Sequence, residues 1–207
     1  MTRIKCCGMT RAEDALLAAR LGAEAIGLVF TARSKRKVTL AQAREIVGAL
    51  PPFVSTVALF MNDEPALVWQ VIDELRPDFL QFHGDEDADW CAQFGRPFLK
   101  AIAMGEGAAG LSKLRDYPHA AGLLLDGHAP GEAGGSGKPF DWSLLPPNLT
   151  QPVILAGGLD ASNVADAVRK VRPWAVDVAS GIESAPGIKD PHKLAAFIRA
   201  VRLADAP

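Results

Sequence analysis

The sequence predicts an α/β protein, a single-domain (β/α)8 barrel occupying residues 1–207. Eight short apolar runs, at 3–7, 25–30, 54–60, 78–82, 98–103, 121–126, 152–156 and 174–178, have the length and continuity of buried parallel strands. Amphipathic stretches with helix start signals separate them. Eight such units in 207 residues average about 26 residues each, near the lower limit for a barrel of this kind. A doubly wound open sheet is the rival, but it uses fewer strands at this length.

The elements follow in order. Ile4-Lys5-Cys6-Cys7 ends on Gly8. Thr10-Arg-Ala-Glu13 then fits a capping box, in which a hydroxyl and the side chain three residues on satisfy free helix-end donors reciprocally. Gly22 is a plausible helix stop. The second run leads into the basic loop Arg33-Ser34-Lys35-Arg36-Lys37, and Thr39-Leu-Ala-Gln42 is a second capping box. That helix should stop before Pro51-Pro52. Asp63, before Glu64-Pro65, reads as the next N-cap, and the fourth run ends on His83-Gly84.

The segment 104–120 opens glycine-rich and predicts a short or irregular helix. Gly122-Leu-Leu-Leu125 closes on Asp126, and the long, apolar-poor stretch 127–141 reads as a functional loop. Gly157-Gly158 follows the seventh run, with Asp160 as a cap for the next helix. Ser180-Gly181 follows the eighth. Asp190-Pro191 places a cap before a proline at the first helical position, where no N–H is needed.

Composition narrows the function. A net charge of −2 gives no global attraction for nucleic acid or an anionic membrane, and neither is expected as a partner. No apolar run approaches the ~20 residues of a membrane span. Met1-Thr2-Arg3-Ile4 leads into a strand without a signal-peptide pattern. The three cysteines are an odd number, and adjacent Cys6 and Cys7 point to opposite faces of a strand. Cys91 has no obvious partner. A reduced, cytoplasmic protein is expected.

Two strand ends carry the chemistry. Cys7 and Asp126 each close a strand before a glycine, where α/β proteins present reactive groups. If Cys7 faces the barrel mouth then so does Lys5, while Ile4 and Cys6 face the helices. Cys6 is most simply a small core hydrophobe. That reading is open for Cys7 too, but its place at the strand end favours a reactive thiol, which needs a positive neighbour such as Lys5 to ionise. Asp126 must lie at the rim or be paired, since an unpaired buried charge is costly. Lys5 or Lys100 would be its partner in a purely structural role.

Glycine clusters at 134–137, 157–158 and 181 follow late strands. Glycine lets backbone N–H groups approach an anion, and barrel loops after strands seven and eight often hold phosphate. Gly135, Ser136, Gly157, Gly158, Ser180 and Gly181 are the candidate phosphate residues. An arginine of the 33–37 loop could bind a substrate carboxylate through a two-pronged contact, whereas Arg33 and Lys37 read as solvated. His83 either caps the barrel or touches substrate. His128 and His192 lack metal-ligand spacing, and no zinc, P-loop or dinucleotide motif is present. The chemistry reads as cofactor-free, with no metal.

An ordered set of motifs spans nearly the whole chain. It comprises Lys5-Cys6-Cys7-Gly8-Met9-Thr10, Gly27-Leu-Val-Phe30, Ser34-Lys-Arg36, Pro51-Pro-Phe53, Phe60-Met-Asn62, Gln81-Phe-His-Gly84 and Leu125-Asp126. It continues through Gly134-Gly-Ser-Gly-Lys138, Phe140-Asp-Trp142, Ala156-Gly-Gly-Leu159, Asn163-Val164, Asp177-Val-Ala-Ser-Gly-Ile-Glu183 and Pro186-Gly187. This set resembles the phosphoribosylanthranilate isomerase family.

The resemblance implies a TIM barrel that carries out an Amadori rearrangement of N-(5-phosphoribosyl)anthranilate in tryptophan biosynthesis. Cys7 would be the general base, Asp126 the general acid, and Arg36 the contact to the anthranilate moiety. The glycine loops would hold the phosphate. The one departure is Cys6, where the family commonly has a branched aliphatic residue. The partner implied is the small-molecule substrate, and the chain would be a monomer or a homodimer.

Two other readings stay open. A sister barrel of the tryptophan or histidine pathways would show a lysine–glutamate set, or an aspartate where Cys7 stands. A non-catalytic phosphate-ligand-binding barrel would need neither Cys7 nor Asp126.

Overall fold

A computed structural model describes residues 1–105, 108–127, 141, 142, 145 and 151–206. Eight parallel strands close into a barrel in sequence order: β1 (Arg3–Cys6), β2 (Ala25–Val29), β3 (Ser55–Phe60), β4 (Phe79–Phe82), β5 (Phe98–Ala103), β6 (Gly122–Asp126), β7 (Val153–Leu155) and β8 (Ala175–Val178). Every apolar run of the sequence is a strand. Between them run α1 (Ala12–Leu21), α2 (Leu40–Gly48), α3 (Pro65–Leu75), α4 (Ala88–Ala92), α5 (Ala108–Ser112) and α6 (Val164–Val171). A small antiparallel pair, β9 (Glu183–Ala185) and β10 (Ile188–Lys189), and helix α7 (Pro191–Ala204) follow the barrel.

Strand periodicity divides the core into two zones. Ile4, Cys6, Leu28, Phe60, Phe82, Leu123, Leu125 and Val176 face outward into the helix layer, where Phe30 stacks on Phe60 and Phe82 meets Phe60 at a tilt. Val57, Leu99, Ala101, Leu124 and Ile154 fill the barrel interior. Cys7, Val29 and Leu59 form a separate apolar patch nearer the mouth. Burying a side chain of this size contributes ~1.5–3 kcal/mol, so both zones hold the strand ends in register.

The local signals fared unevenly. Thr39 and Gln42 make the full capping box, Asp190 caps α7 by accepting from the N–H groups of His192 and Lys193, and Gly22 ends α1 at φ 104°. Thr10, by contrast, is not a cap: Arg11 takes that position without a side-chain capping bond, and the Thr10 hydroxyl donates to the Gly187 carbonyl. Asp63 accepts from the Met61 N–H while Glu64 holds the cap position of α3. Asp160 accepts from the Ser162 N–H and hydroxyl, so it organises a turn and α6 starts after Asn163. At Asp63 and Asp160 a tighter local turn competed for the side chain, whereas at Thr10 a carbonyl distant in sequence did. The 104–120 stretch holds the short α5 and one turn of 3-10 helix, in line with its irregular reading.

Candidate active site

The C-terminal ends of the strands surround an open cleft of about 700 Å3, a volume that includes its solvent-filled mouth. Cys7 (following β1), His83 (following β4), Asp126 (ending β6), Asp177 (on β8) and Arg36 (from the β2 loop) all line it. Gly157, Gly158 and Ser180 line it too, whereas Gly181 borders a shallow neighbouring depression with Asp160 and Lys193. Gly135, Ser136 and His128 lie outside the described residues, as does most of the 127–141 loop.

Cys7 and Cys6 separate as the alternation requires. Cys6 is sealed in the helix-facing core, and burial pushes its thiol up to about 12. Cys7 is 5% exposed and reaches the cleft. Gly27 makes room for it: a Cβ there would lie 2.7 Å from the Cys7 Sγ, so no other residue fits without moving the thiol.

Beneath Cys7, Lys5 donates to Asp177 at 2.8 Å. These two residues are direct partners in the β1–β8 ladder, which puts both side chains inside the barrel. Burial raises the Cys7 thiol, and the Lys5 ammonium opposes that rise. Burial would lower Lys5, but Asp177 and Cys7 outweigh it and keep the ammonium charged. Asp177 is raised by burial, against the pull of Lys5, with the Asp126 charge adding to the rise. The expected structural partners of Asp126 are thus engaged elsewhere. Lys5 is with Asp177, and Lys100 lies outside the barrel wall, bonded to Glu86 at 3.0 Å.

His83 Nε2 faces Asp126 Oδ2 at 3.8 Å. The Gln81 side-chain nitrogen lies 3.3 Å from His83 Nδ1. Gln81 therefore holds the ring edge opposite Asp126. Lys100 supports this corner from behind by donating to the Gly84 carbonyl, while Glu86 accepts from the N–H groups of Gly84 and Asn62.

Arg36 makes a two-pronged contact to Glu183, from Nε at 2.8 Å and from Nη2 at 2.7 Å. Its stem lies across Gly8, where a Cβ would collide with it. Gly157 and Gly158, at φ 82° and 63°, turn the β7 loop back over Gly127 and Asp126. Among the described residues, no cluster of three or more His, Cys, Asp or Glu side chains is arranged to hold a metal.

Sequence reasoning overlooked Gln81 and Asp177, which line the cleft, and the buried Glu183–Lys189 pair behind it. Asp177 had a signal, since a carboxylate inside the apolar run 174–178 needs a partner. Glu183 and Lys189 had none, because their partners are set by folding alone.

The family described as N-(5'-phosphoribosyl)anthranilate (PRA) isomerase matches residues 4–200. A relative from Pseudomonas paraeruginosa, named N-(5'-phosphoribosyl)anthranilate isomerase, is 55% identical over 97% of this chain and 95% of its own. The crystal structure of phosphoribosyl anthranilate isomerase from Thermotoga maritima superposes with a TM-score of 0.89 at 38% identity, covering 98% of this chain and 99% of that one. A second, in complex with reduced 1-(o-carboxyphenylamino)-1-deoxyribulose 5-phosphate, has a TM-score of 0.86 at 35% identity, with coverage of 98% and 99%.

Proposed function

The chain belongs to the N-(5'-phosphoribosyl)anthranilate isomerase family, and from that premise we propose that Cys7 and Asp126 are the base and acid of its reaction. The enzyme is an aldose–ketose isomerase of tryptophan biosynthesis. It converts N-(5-phosphoribosyl)anthranilate to 1-(2-carboxyphenylamino)-1-deoxyribulose 5-phosphate. One observation carries the assignment of roles: a thiol and a carboxylate from distant strands border the same cleft.

Asp126 donates a proton to the furanose ring oxygen, the C1–O bond breaks, and the nitrogen lone pair forms a C1=N iminium. That cation acidifies C2. The Cys7 thiolate removes the C2 proton, and the electron pair left behind forms a C1=C2 bond while the nitrogen becomes neutral. The enolamine then becomes the ketone as C1 gains a proton and the C2 hydroxyl loses one. A thiolate is basic enough because the iminium has already weakened the C2–H bond. Lys5 supplies the positive field that favours the thiolate against burial.

Arg36 is our candidate for the anthranilate carboxylate, and His83 for orienting the acid or touching the sugar. Gly157, Gly158 and Ser180, which border the cleft, are our candidates for the phosphate, with Gly181, Gly135 and Ser136 as further candidates. Holding both ends of the substrate would place C1 and C2 between the two reacting groups.

We read residues 1–207 as one barrel domain, acting as a monomer or homodimer in the cytoplasm. The three free, buried cysteines favour a reducing compartment, and no helix among the described residues is long and apolar enough to cross a membrane. The test is incubation with freshly generated phosphoribosylanthranilate, following loss of the substrate's fluorescence. Decay far above the uncatalysed rate is expected, and its absence would overturn the reading.

A further inference from the structure

A buried ion triad stands behind the mouth and joins three segments of chain. Glu183, at the start of β9, receives the Arg36 fork on one side and Lys189 Nζ at 2.8 Å on the other. Lys189 Nζ also donates to the Cys7 carbonyl at 2.7 Å and to the Ala179 carbonyl at 3.2 Å. The Gly187 N–H adds a fourth donor to the Glu183 carboxylate at 3.1 Å. Glu183 is 7% exposed and Lys189 2%.

The charges do not cancel. Two cations share one carboxylate, leaving one positive charge in excess. Lys189 has spent all three of its donors on Cys7, Ala179 and Glu183 and is sealed from the cleft, so it cannot meet a substrate. Arg36 has spent one edge of its fork, and Nη1 has no hydrogen-bond partner among the described residues on a side chain that lines the cleft. The surplus charge is therefore available to a substrate only through Arg36. Had Glu183 paired with Arg36 alone, it would have neutralised the site; Lys189 prevents that.

We propose that Glu183 is a positioning residue that aims Arg36 at the carboxylate of the substrate, and that Lys189 keeps the aimed guanidinium electrostatically positive. Together they make the mouth selective for N-aryl ribosylamine phosphates whose aryl group bears a carboxylate. The inference rests on the isomerase reading above and deepens it.

The test compares N-(5-phosphoribosyl)anthranilate with N-(5-phosphoribosyl)aniline, which lacks the carboxylate. For Glu183→Gln, KM for the anthranilate compound should rise by about 10-fold or more, the loss expected when a charge-assisted contact is misaimed. Its kcat, and both constants for the aniline compound, should stay within about 3-fold. In an Arg36→Met background, Glu183→Gln should add no further loss. Equal losses on both substrates, or additive losses in the double variant, would assign Glu183 a merely structural role and overturn the proposal. Should Glu183→Gln not fold, Arg36→Lys keeps the charge but cannot span both Glu183 oxygens. It should lose discrimination between the two substrates, and retained discrimination would likewise overturn the proposal. Wild-type protein that turned over neither compound would instead sink the isomerase reading.

Discussion

Lys5 Nζ and Asp177 Oδ1 lie 2.8 Å apart inside the barrel, joined across the seam where β8 closes on β1. The pair sits one step below Cys7 on the same face of β1, so the proposed base rests on a buried ammonium whose own charge is held by a carboxylate. Taking one member away strands the other, and breaking such a buried pair costs ~3–5 kcal/mol.

The pH profile should follow from this pair. Burial raises the Cys7 thiol and Lys5 opposes the rise, so kcat/KM should climb with pH as the thiolate forms. Lys5→Met/Asp177→Asn removes both charges without leaving either stranded, and its ascending limb should move to higher pH. A limb that stayed in place, or moved down, would separate Lys5 from the ionisation of Cys7.

The two adjacent cysteines should behave oppositely. Cys7→Ala and Asp126→Asn are each expected to lower kcat by at least about 100-fold, the lower range for a positioned acid or base. Circular dichroism should show both folded. Cys6→Ala, in the helix-facing core, should cost about 1 kcal/mol of stability and leave kcat nearly unchanged. Full activity in Cys7→Ala would refute the assignment of the base.

Gly27→Ala tests how tightly the thiol is housed. The added methyl would fall 2.7 Å from the Cys7 Sγ, so the thiol must move. A misplacement of about 1 Å at a reacting group can cost about 100-fold, and we expect a loss of that order in kcat with only a modest fall in Tm. Unchanged turnover would mean that the thiol position is not critical.

Acid should erase the contribution of Glu183. Burial alone would raise this carboxyl, but Arg36 and Lys189 outweigh it and hold it below the ordinary range. A depressed folded value means that its stabilisation is complete above the unfolded value of about 4.3 and is lost as the pH falls through the folded one. The Tm gap between wild type and Glu183→Gln should thus be widest near neutrality and close as the pH drops below about 4. A gap that persisted in acid would point to packing instead of charge.

The proposed phosphate loop can be probed at Gly157. Its φ of 82° and the close approach of Gly127 leave no room for a side chain. Gly157→Ala should raise KM for phosphoribosylanthranilate, and inorganic phosphate should lose its power to inhibit competitively. Unaltered phosphate inhibition would move the phosphate site away from this loop.

The eight strands, the closed-barrel class and the two faces of the first strand were legible in the sequence. Those follow from local physics: strand length, apolar continuity and a side-chain period of two. That period alone distinguished Cys7 from Cys6, while the cost of an unpaired buried charge required Asp126 to lie at a rim or be paired. The caps at Asp63 and Asp160 were misjudged because short polar side chains choose between a cap and a tighter turn only once the flanking chain is packed, and the cap at Thr10 because its hydroxyl meets the distant Gly187 carbonyl. Tertiary structure decided the charges. Lys5 meets Asp177 only because β1 pairs with β8, 172 residues away. Arg36 and Lys189 converge on Glu183 only because the β9–β10 hairpin folds back against the β2 loop. Periodicity places a side chain on a face, but the barrel's closure decides which charge it finds there.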